Sequence, residues 1–127
     1  MTKKLLLVDD DPDVIISFRR GLEDNGYEVD AYTDPLLTLS NFKADLYDLA
    51  ILDVRMPQMD GFELYERMKK IDNKVKVCFI TAFEVNYEAL REVFSSSETE
   101  CFIRKPIEVM ELVQHVGTAR KGRASTS

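Results

Sequence analysis

Three of the five apolar runs in this chain are nearly continuous, and that feature narrows the fold more than any other. The runs are Leu5-Leu6-Leu7-Val8, Val29 to Tyr32, Leu49 to Leu52, Val75 to Ile80 and Cys101 to Ile103. A strand with one wet face alternates apolar and polar residues. An unbroken apolar strand is buried on both faces, as in a parallel sheet covered by helices. Amphipathic segments separate the runs. Asp11-Pro12 opens the first, with Asp as N-cap and Pro at N1. Val14, Phe18 and Leu22 follow at helical spacing, and Gly26 ends it. Asp34-Pro35 opens the second segment. Asp60-Gly61 opens the third, with Leu64, Met68 and Ile71 as its stripe. A fourth runs from about Asn86 to Phe94 and breaks at Ser95-Ser96-Ser97. The fifth follows Pro106 and carries Ile107, Met110, Leu112, Val113 and Val116. The order is (βα)5, which implies right-handed crossovers and an α/β, doubly wound, three-layer sandwich.

A length of 127 residues fits one domain, and 45% hydrophobic content suffices for one core covered on two sides. The reading places a domain at 1–118 and a tail, linker stub or remnant at 119–127. A net charge of −6 disfavours nonspecific contact with nucleic acid or anionic membrane. No run approaches the ~18 apolar residues of a membrane span, and no signal-peptide core precedes the first strand. A cytoplasmic location is expected. Cys78 and Cys101 lie inside apolar runs and read as buried thiols in a reducing compartment, with a disulfide or metal role as the lesser alternative. One histidine cannot build a Cys/His zinc cluster.

In such sheets the functional crevice lies at the carboxyl ends of the strands. The first strand ends in Asp9-Asp10-Asp11, the third in Asp53, the fourth in Thr81 and the fifth in Lys105-Pro106. Thr33-Asp34, after the second, is not placed in the site. Taken singly, each residue has a plain structural reading: Asp11 as a helix cap, Lys105 as a solvated cation. Gathered together, the carboxylates repel by about 1 kcal/mol per pair at 4 Å in water, and by ~4 kcal/mol at an effective dielectric of 20. Such a cluster calls for a cation. An oxygen-rich site suits Mg2+, with Mn2+ as a substitute. An Asp carboxylate can take up a phosphoryl group covalently, and Lys105 and Thr81 can hold its oxygens.

These residues resemble a known family, the receiver domains of two-component response regulators. The matching segments are LLLVDDDPD, LAILDVRMPQMDGFELYERM, VCFITAF and CFIRKP, covering about residues 3 to 117. The resemblance implies a flavodoxin-like fold with parallel strand order 2-1-3-4-5. It implies that Asp53 is the phosphorylated residue, and that Asp9 and Asp10 hold the metal together with Asp53 and the backbone carbonyl of Arg55. Thr81 matches the switch hydroxyl, and Lys105 the lysine that pairs with the phosphoryl oxygen. Pro106 follows it, by a cis peptide in this family. Phe102 matches the aromatic switch position, and on spacing alone it reads equally as a core residue of the last strand. The implied function is a regulatory phosphoacceptor rather than an enzyme acting on a separate substrate. A histidine kinase or phosphotransfer protein would be the donor, and the fourth strand, the last two helices and the fifth strand would signal an output partner. No direct nucleic-acid or membrane contact is implied, and the chain is expected as a monomer or weak homodimer.

Arg55 and Phe83 occupy the two positions that tune hydrolysis in this family. A long cation and a bulky aromatic there predict a long-lived phosphoryl group. SSSETECFIRKP departs from the Gly-Ala-Asp-Asp/Glu-Tyr pattern frequent in receivers with DNA-binding output, so partner choice stays open. His115 reads as a helix residue rather than a relay histidine. The residues after the last helix are too few for an output module, which leaves a stand-alone receiver or a chain cut at a domain boundary. Two rival readings stand beside this one. One is a haloacid-dehalogenase-type phosphatase with Asp9 as nucleophile, and the other is a receiver-like interaction module that does not cycle phosphate. A nucleotide site is disfavoured, because no G-x-x-x-x-G-K-[ST] loop is present.

Overall fold

The computed structural model describes residues 3–81, 101–105 and 107–121. Its strands are β1 (Lys3–Val8), β2 (Tyr27–Tyr32), β3 (Leu49–Asp53), β4 (Val77–Thr81) and β5 (Cys101–Arg104). Its described helices are α1 (Pro12–Asp24), α2 (Pro35–Asn41), α3 (Gly61–Ile71) and α4 (Val109–Lys121). The helical segment expected near 86–94 lies outside the described residues. The helix labelled α4 is therefore the last of the five read from the sequence, and it runs to Lys121.

All five strands are parallel, in the order β2-β1-β3-β4-β5. The continuous apolar runs are explained by burial on both faces. Along β1, Leu6 and Val8 enter one core with Ala50, Leu52, Val77 and Phe79, closed by Leu64, Tyr65 and Met68 of α3. Leu5 and Leu7 enter the other with Val29, Leu49, Ile51, Cys78, Ile80 and Ile103, closed by Phe18 and Leu22 of α1 and Leu112 and Val116 of α4. Two apolar faces per strand need two helical layers, which is the three-layer sandwich read from the sequence.

The helix starts follow the Asp-Pro and Asp-Gly signals. The Asp11 carboxylate accepts from Asp13 N at 2.9 Å, that of Asp34 from Leu36 N at 2.8 Å, and that of Asp60 from Glu63 N at 2.8 Å. Each satisfies an otherwise unpartnered first-turn donor. Gly26, at φ +93°, supplies the left-handed turn that reverses the chain after α1.

Three details differ from the sequence reading. Ile71 is 46% exposed. As the last residue of α3 it projects beyond the core, and Tyr65 takes the inner position instead. Met110, in the first turn of α4, is 60% exposed, whereas Leu112 and Val116 carry the buried stripe. Cys78 is fully buried, as its run implies, but it is disulfide-bonded and not a free thiol. Parallel pairing of β4 with β5 sets Cys78 opposite Cys101, a neighbourhood invisible along the chain.

α1 and α4 cross closely at Gly21, where a Cβ would run into the side chain of Val109. Gly21→Ala gains about 1 kcal/mol of helix propensity but forces this contact apart, at a cost of roughly 1–3 kcal/mol. The expected result is a lower midpoint in urea unfolding for Gly21→Ala, with recovery when Val109→Ala is added. A Gly21→Ala midpoint above the parent would show that the crossing tolerates the methyl group.

Candidate functional site

The carboxyl ends of β1 and β3 lie side by side, because the two strands pair from Leu5 with Leu49 to Val8 with Leu52. The next residue of each strand is an aspartate. Asp9 and Asp53 are buried, at 2% and 5% exposure, and Asp10 is exposed beside them. Each of the three can offer an oxygen within 4.8 Å of the other two. An open cleft of about 520 Å³ lies over them, lined by Asp9, Asp10, Asp53, Arg55, Met56 and Lys105 among others.

Backbone contacts hold this edge in place. Asp9 N donates to Tyr32 O at 3.1 Å, and Val54 N donates to Ile80 O at 2.9 Å. Gly61 N donates to Val54 O at 2.8 Å, which draws the start of α3 against the end of β3. A Cβ at Gly61 would meet the backbone carbonyl of Asp53 and lie 3.1 Å from Val54 Cα. Glycine is thus required by close approach, and the Asp60-Gly61 pair is both a cap and a spacing device.

Lys105, just beyond β5, reaches across the cleft. Its Nζ donates to Asp9 Oδ2 at 2.7 Å and stands 3.9 Å from Asp53 Oδ1. Asp9 Oδ1 accepts from Asp11 N at 3.0 Å. Both oxygens of Asp9 are therefore engaged. Asp53 is pushed up to about 7, chiefly by burial and then by the negative charge of Asp9. The Lys105 ammonium pulls it down, a hydrogen bond shared with the Asp10 carboxyl raises it, and the Arg55 backbone hydrogen bond lowers it. Two buried carboxylates with one ammonium between them leave excess negative charge. The donor set is all oxygen, the kind a hard divalent cation such as Mg2+ takes.

The structure thus brings together Asp9, Asp10, Asp53, Arg55 and Lys105. Thr81 ends β4, in register with Arg104, one residue beyond the Ile80 that pairs with Asp53. Phe83 and Pro106 lie outside the described residues. Phe102 is partly buried and stacks on Phe79 with ring centroids 5.5 Å apart, against the α3 side of the sheet. Met56 and Pro57 also line the cleft, although the sequence reading assigned them no role. Their signal was position alone, in the loop that leaves the functional end of β3. His115 lies exposed on α4, the helix that packs against the far face of the sheet. The rival with Asp9 as nucleophile meets a carboxylate at 2% side-chain exposure whose two oxygens already accept hydrogen bonds.

Comparison with known proteins agrees with this geometry. The family model described as response regulator receiver domain matches residues 5–117. The transcriptional regulatory protein PrrA of Mycobacterium tuberculosis is 31% identical over 124 residues, 98% of this chain and 52% of that protein. The response regulator receiver protein CpdR of Brucella abortus is 30% identical over 114 residues, 90% of this chain and 93% of that one. The chain spans about half the length of PrrA and similar curated regulators. Among solved structures, the non-phosphorylated HemR receiver domain of Leptospira biflexa superposes with a TM-score of 0.82 at 26% identity, covering 94% of each chain. A CheY-like receiver domain protein of Methanospirillum hungatei gives 0.81 at 24% identity over the whole of both chains.

The raised Asp53 has a consequence for stability. A carboxyl whose folded pKa lies above its unfolded value of 3.8 binds more protons when folded. Its contribution is fully present below about pH 4 and is lost as pH rises through about 7. In EDTA, Asp53→Asn should therefore be more stable than the parent at pH 8, by roughly 1–3 kcal/mol, with the difference shrinking toward pH 4. Urea unfolding across that range measures it, and a pH-independent difference would contradict the assignment.

Proposed function

The chain belongs to the response regulator receiver domain family, and from that premise we propose that it is a phosphoacceptor switch with Asp53 as the acceptor. The observation that carries this reading is a buried Asp53 beside Asp9 and Asp10, with Lys105 reaching over from β5. Asp53 Oδ attacks the phosphorus of a phosphohistidine on a histidine kinase or phosphotransfer protein. The P–N bond breaks, the imidazole leaves, and an acyl phosphate remains on Asp53. Asp9, Asp10, Asp53 and the Arg55 carbonyl would hold Mg2+, or Mn2+ in its place. When bound, the ion supplies positive charge against the phosphoryl oxygens. Lys105 pairs with one of those oxygens by a charge-assisted hydrogen bond. The Thr81 hydroxyl takes another, and Phe102 turns inward as it moves.

The acyl phosphate is the signal rather than a step in turnover of a separate substrate. It biases a two-state equilibrium read out at the β4–β5 side of the sheet by an output domain or protein. The relatives named as transcriptional regulators support a regulatory role. We place this domain in the cytoplasm, at 1–118, as a monomer or weak homodimer without direct nucleic-acid contact. No described helix is long and apolar enough to cross a membrane.

Treatment with acetyl phosphate and Mg2+ should add one phosphoryl group, mapped by mass spectrometry to Asp53 and lost in Asp53→Asn. Label on Asp9 instead would establish the rival chemistry, and no label at all would favour the interaction module. Arg55 is exposed at the cleft, where it can obstruct an attacking water. The phosphoryl half-life after donor removal should be minutes or longer, and Arg55→Asn or Phe83→Ala should shorten it. A parent half-life of seconds would refute the tuning role.

A further inference from the structure

We propose that Cys78 and Cys101 form a reversible dithiol–disulfide couple that tightens the β4–β5 edge of the sheet when oxidised. The placement is set by the sheet. Cys78 of β4 and Cys101 of β5 are register partners on adjacent parallel strands. Neighbouring strands lie about 4.8 Å apart, inside the ~4.4–6.8 Å range of Cα separations that a disulfide spans. Cys78 is disulfide-bonded, and the chain has two cysteines in all. Its side chain is fully buried on the α1–α4 face, away from the acidic cleft and from Phe79 and Phe102 on the other face. Cys78 is therefore not among the residues that line the cleft.

Its position still gives it a hold on the switch. β4 ends in Thr81 and β5 runs directly into Lys105. A bond between Cys78 and Cys101 would tie together the two ends of the segment 78–101, which contains Phe83. A covalent tie restrains any sliding of β5 against β4, and so any response of that edge to a phosphoryl group. This part of the proposal rests on the receiver reading above. In a reducing cytoplasm, disulfides are mostly transient or redox-sensing, which favours a cycling couple over a fixed staple.

The chemistry balances by exchange with a low-molecular-weight disulfide such as oxidised glutathione. One cysteine thiolate attacks a sulfur of the small disulfide and expels a glutathione thiolate, leaving a mixed disulfide. The second thiolate attacks the protein-bound sulfur and expels the other. Two protein thiols are oxidised, one glutathione disulfide is reduced to two thiols, and the two protons go to them.

The test equilibrates the 127-residue chain in glutathione buffers of increasing oxidised fraction, then traps free thiols with iodoacetamide under denaturing conditions. Intact mass should show two adducts or none, passing from one to the other as the buffer becomes oxidising. Two adducts at every poise, a stable single adduct, or a disulfide-linked dimer would overturn the couple. This readout needs no phosphoryl transfer, so it stands or falls apart from the role of Asp53. Beryllofluoride affinity in Mg2+ then tests the coupling. The oxidised protein should bind at least about fivefold more weakly than the reduced protein. Cys101→Ala should match the reduced protein at every poise. Equal affinities for the oxidised and reduced forms would overturn the coupling. Acetyl phosphate labelling of the reduced protein checks the parent reading independently.

Discussion

The Lys105 ammonium, 2.7 Å from Asp9 and 3.9 Å from Asp53, is what allows two buried carboxylates to share one sheet edge. Without it, their mutual repulsion would add to the desolvation of each. At a few ångströms that repulsion is about 4 kcal/mol at an effective dielectric of 20, a large share of a small domain's net stability. Even with Lys105 present, the balance stays negative. Burial and Asp9 push Asp53 up to about 7 despite the opposing ammonium. The cleft is therefore built short of positive charge, and that shortage gives it an appetite for a divalent cation and for a transferable group that can share it.

Holding such a cluster in place requires a stiff frame, and the two-sided sheet provides one. β1 and β3 are buried on both faces, so neither can tilt without disturbing two cores. The loop after β3 is pinned by Gly61 N donating to Val54 O, and any side chain at Gly61 would push against the Asp53 carbonyl. Asp9 is pinned by its own N on Tyr32 O, by Asp11 N on its Oδ1 and by Lys105 Nζ on its Oδ2. Packing energy from the strand interiors is thus converted into fixed carboxylate geometry at their ends. The cost of gathering like charges is borne by residues that take no part in the chemistry.

Much of this was legible in the sequence because the signals are local. Continuous apolar strands demand two helical layers, and Asp-Pro and Asp-Gly pairs mark helix starts whose side-chain caps are then seen in place. The site was legible for a related reason. In a parallel sheet, residues at strand ends share one edge whatever their separation along the chain, so Asp9, Asp53 and Lys105 could be grouped in advance. Missed features depend on lateral neighbours. Ile71 and Met110 fit helical spacing but sit at helix ends, where a stripe runs past the core it serves. The Cys78–Cys101 juxtaposition depends on the β4–β5 register, which no local pattern encodes. Met56 and Pro57 entered the cleft through loop shape, to which periodicity is blind.

The raised Asp53 also bears on how the proposed switch is kept from acting on its own. Burial and the charge of Asp9 push the Asp53 carboxyl up to about 7, so the fold itself disfavours the ionised form, and a protonated carboxyl is a poor nucleophile. The causes of the shift are burial and Asp9, both fixed by the fold, so the attenuation is intrinsic to the domain. Added positive charge among Asp9, Asp10 and Asp53 acts against the second cause and favours the carboxylate. The oxygens that would hold a cation therefore also set the ionisation of Asp53. Lys105 cannot do this by itself, because its short contact goes to Asp9 and leaves Asp53 beyond hydrogen-bonding distance.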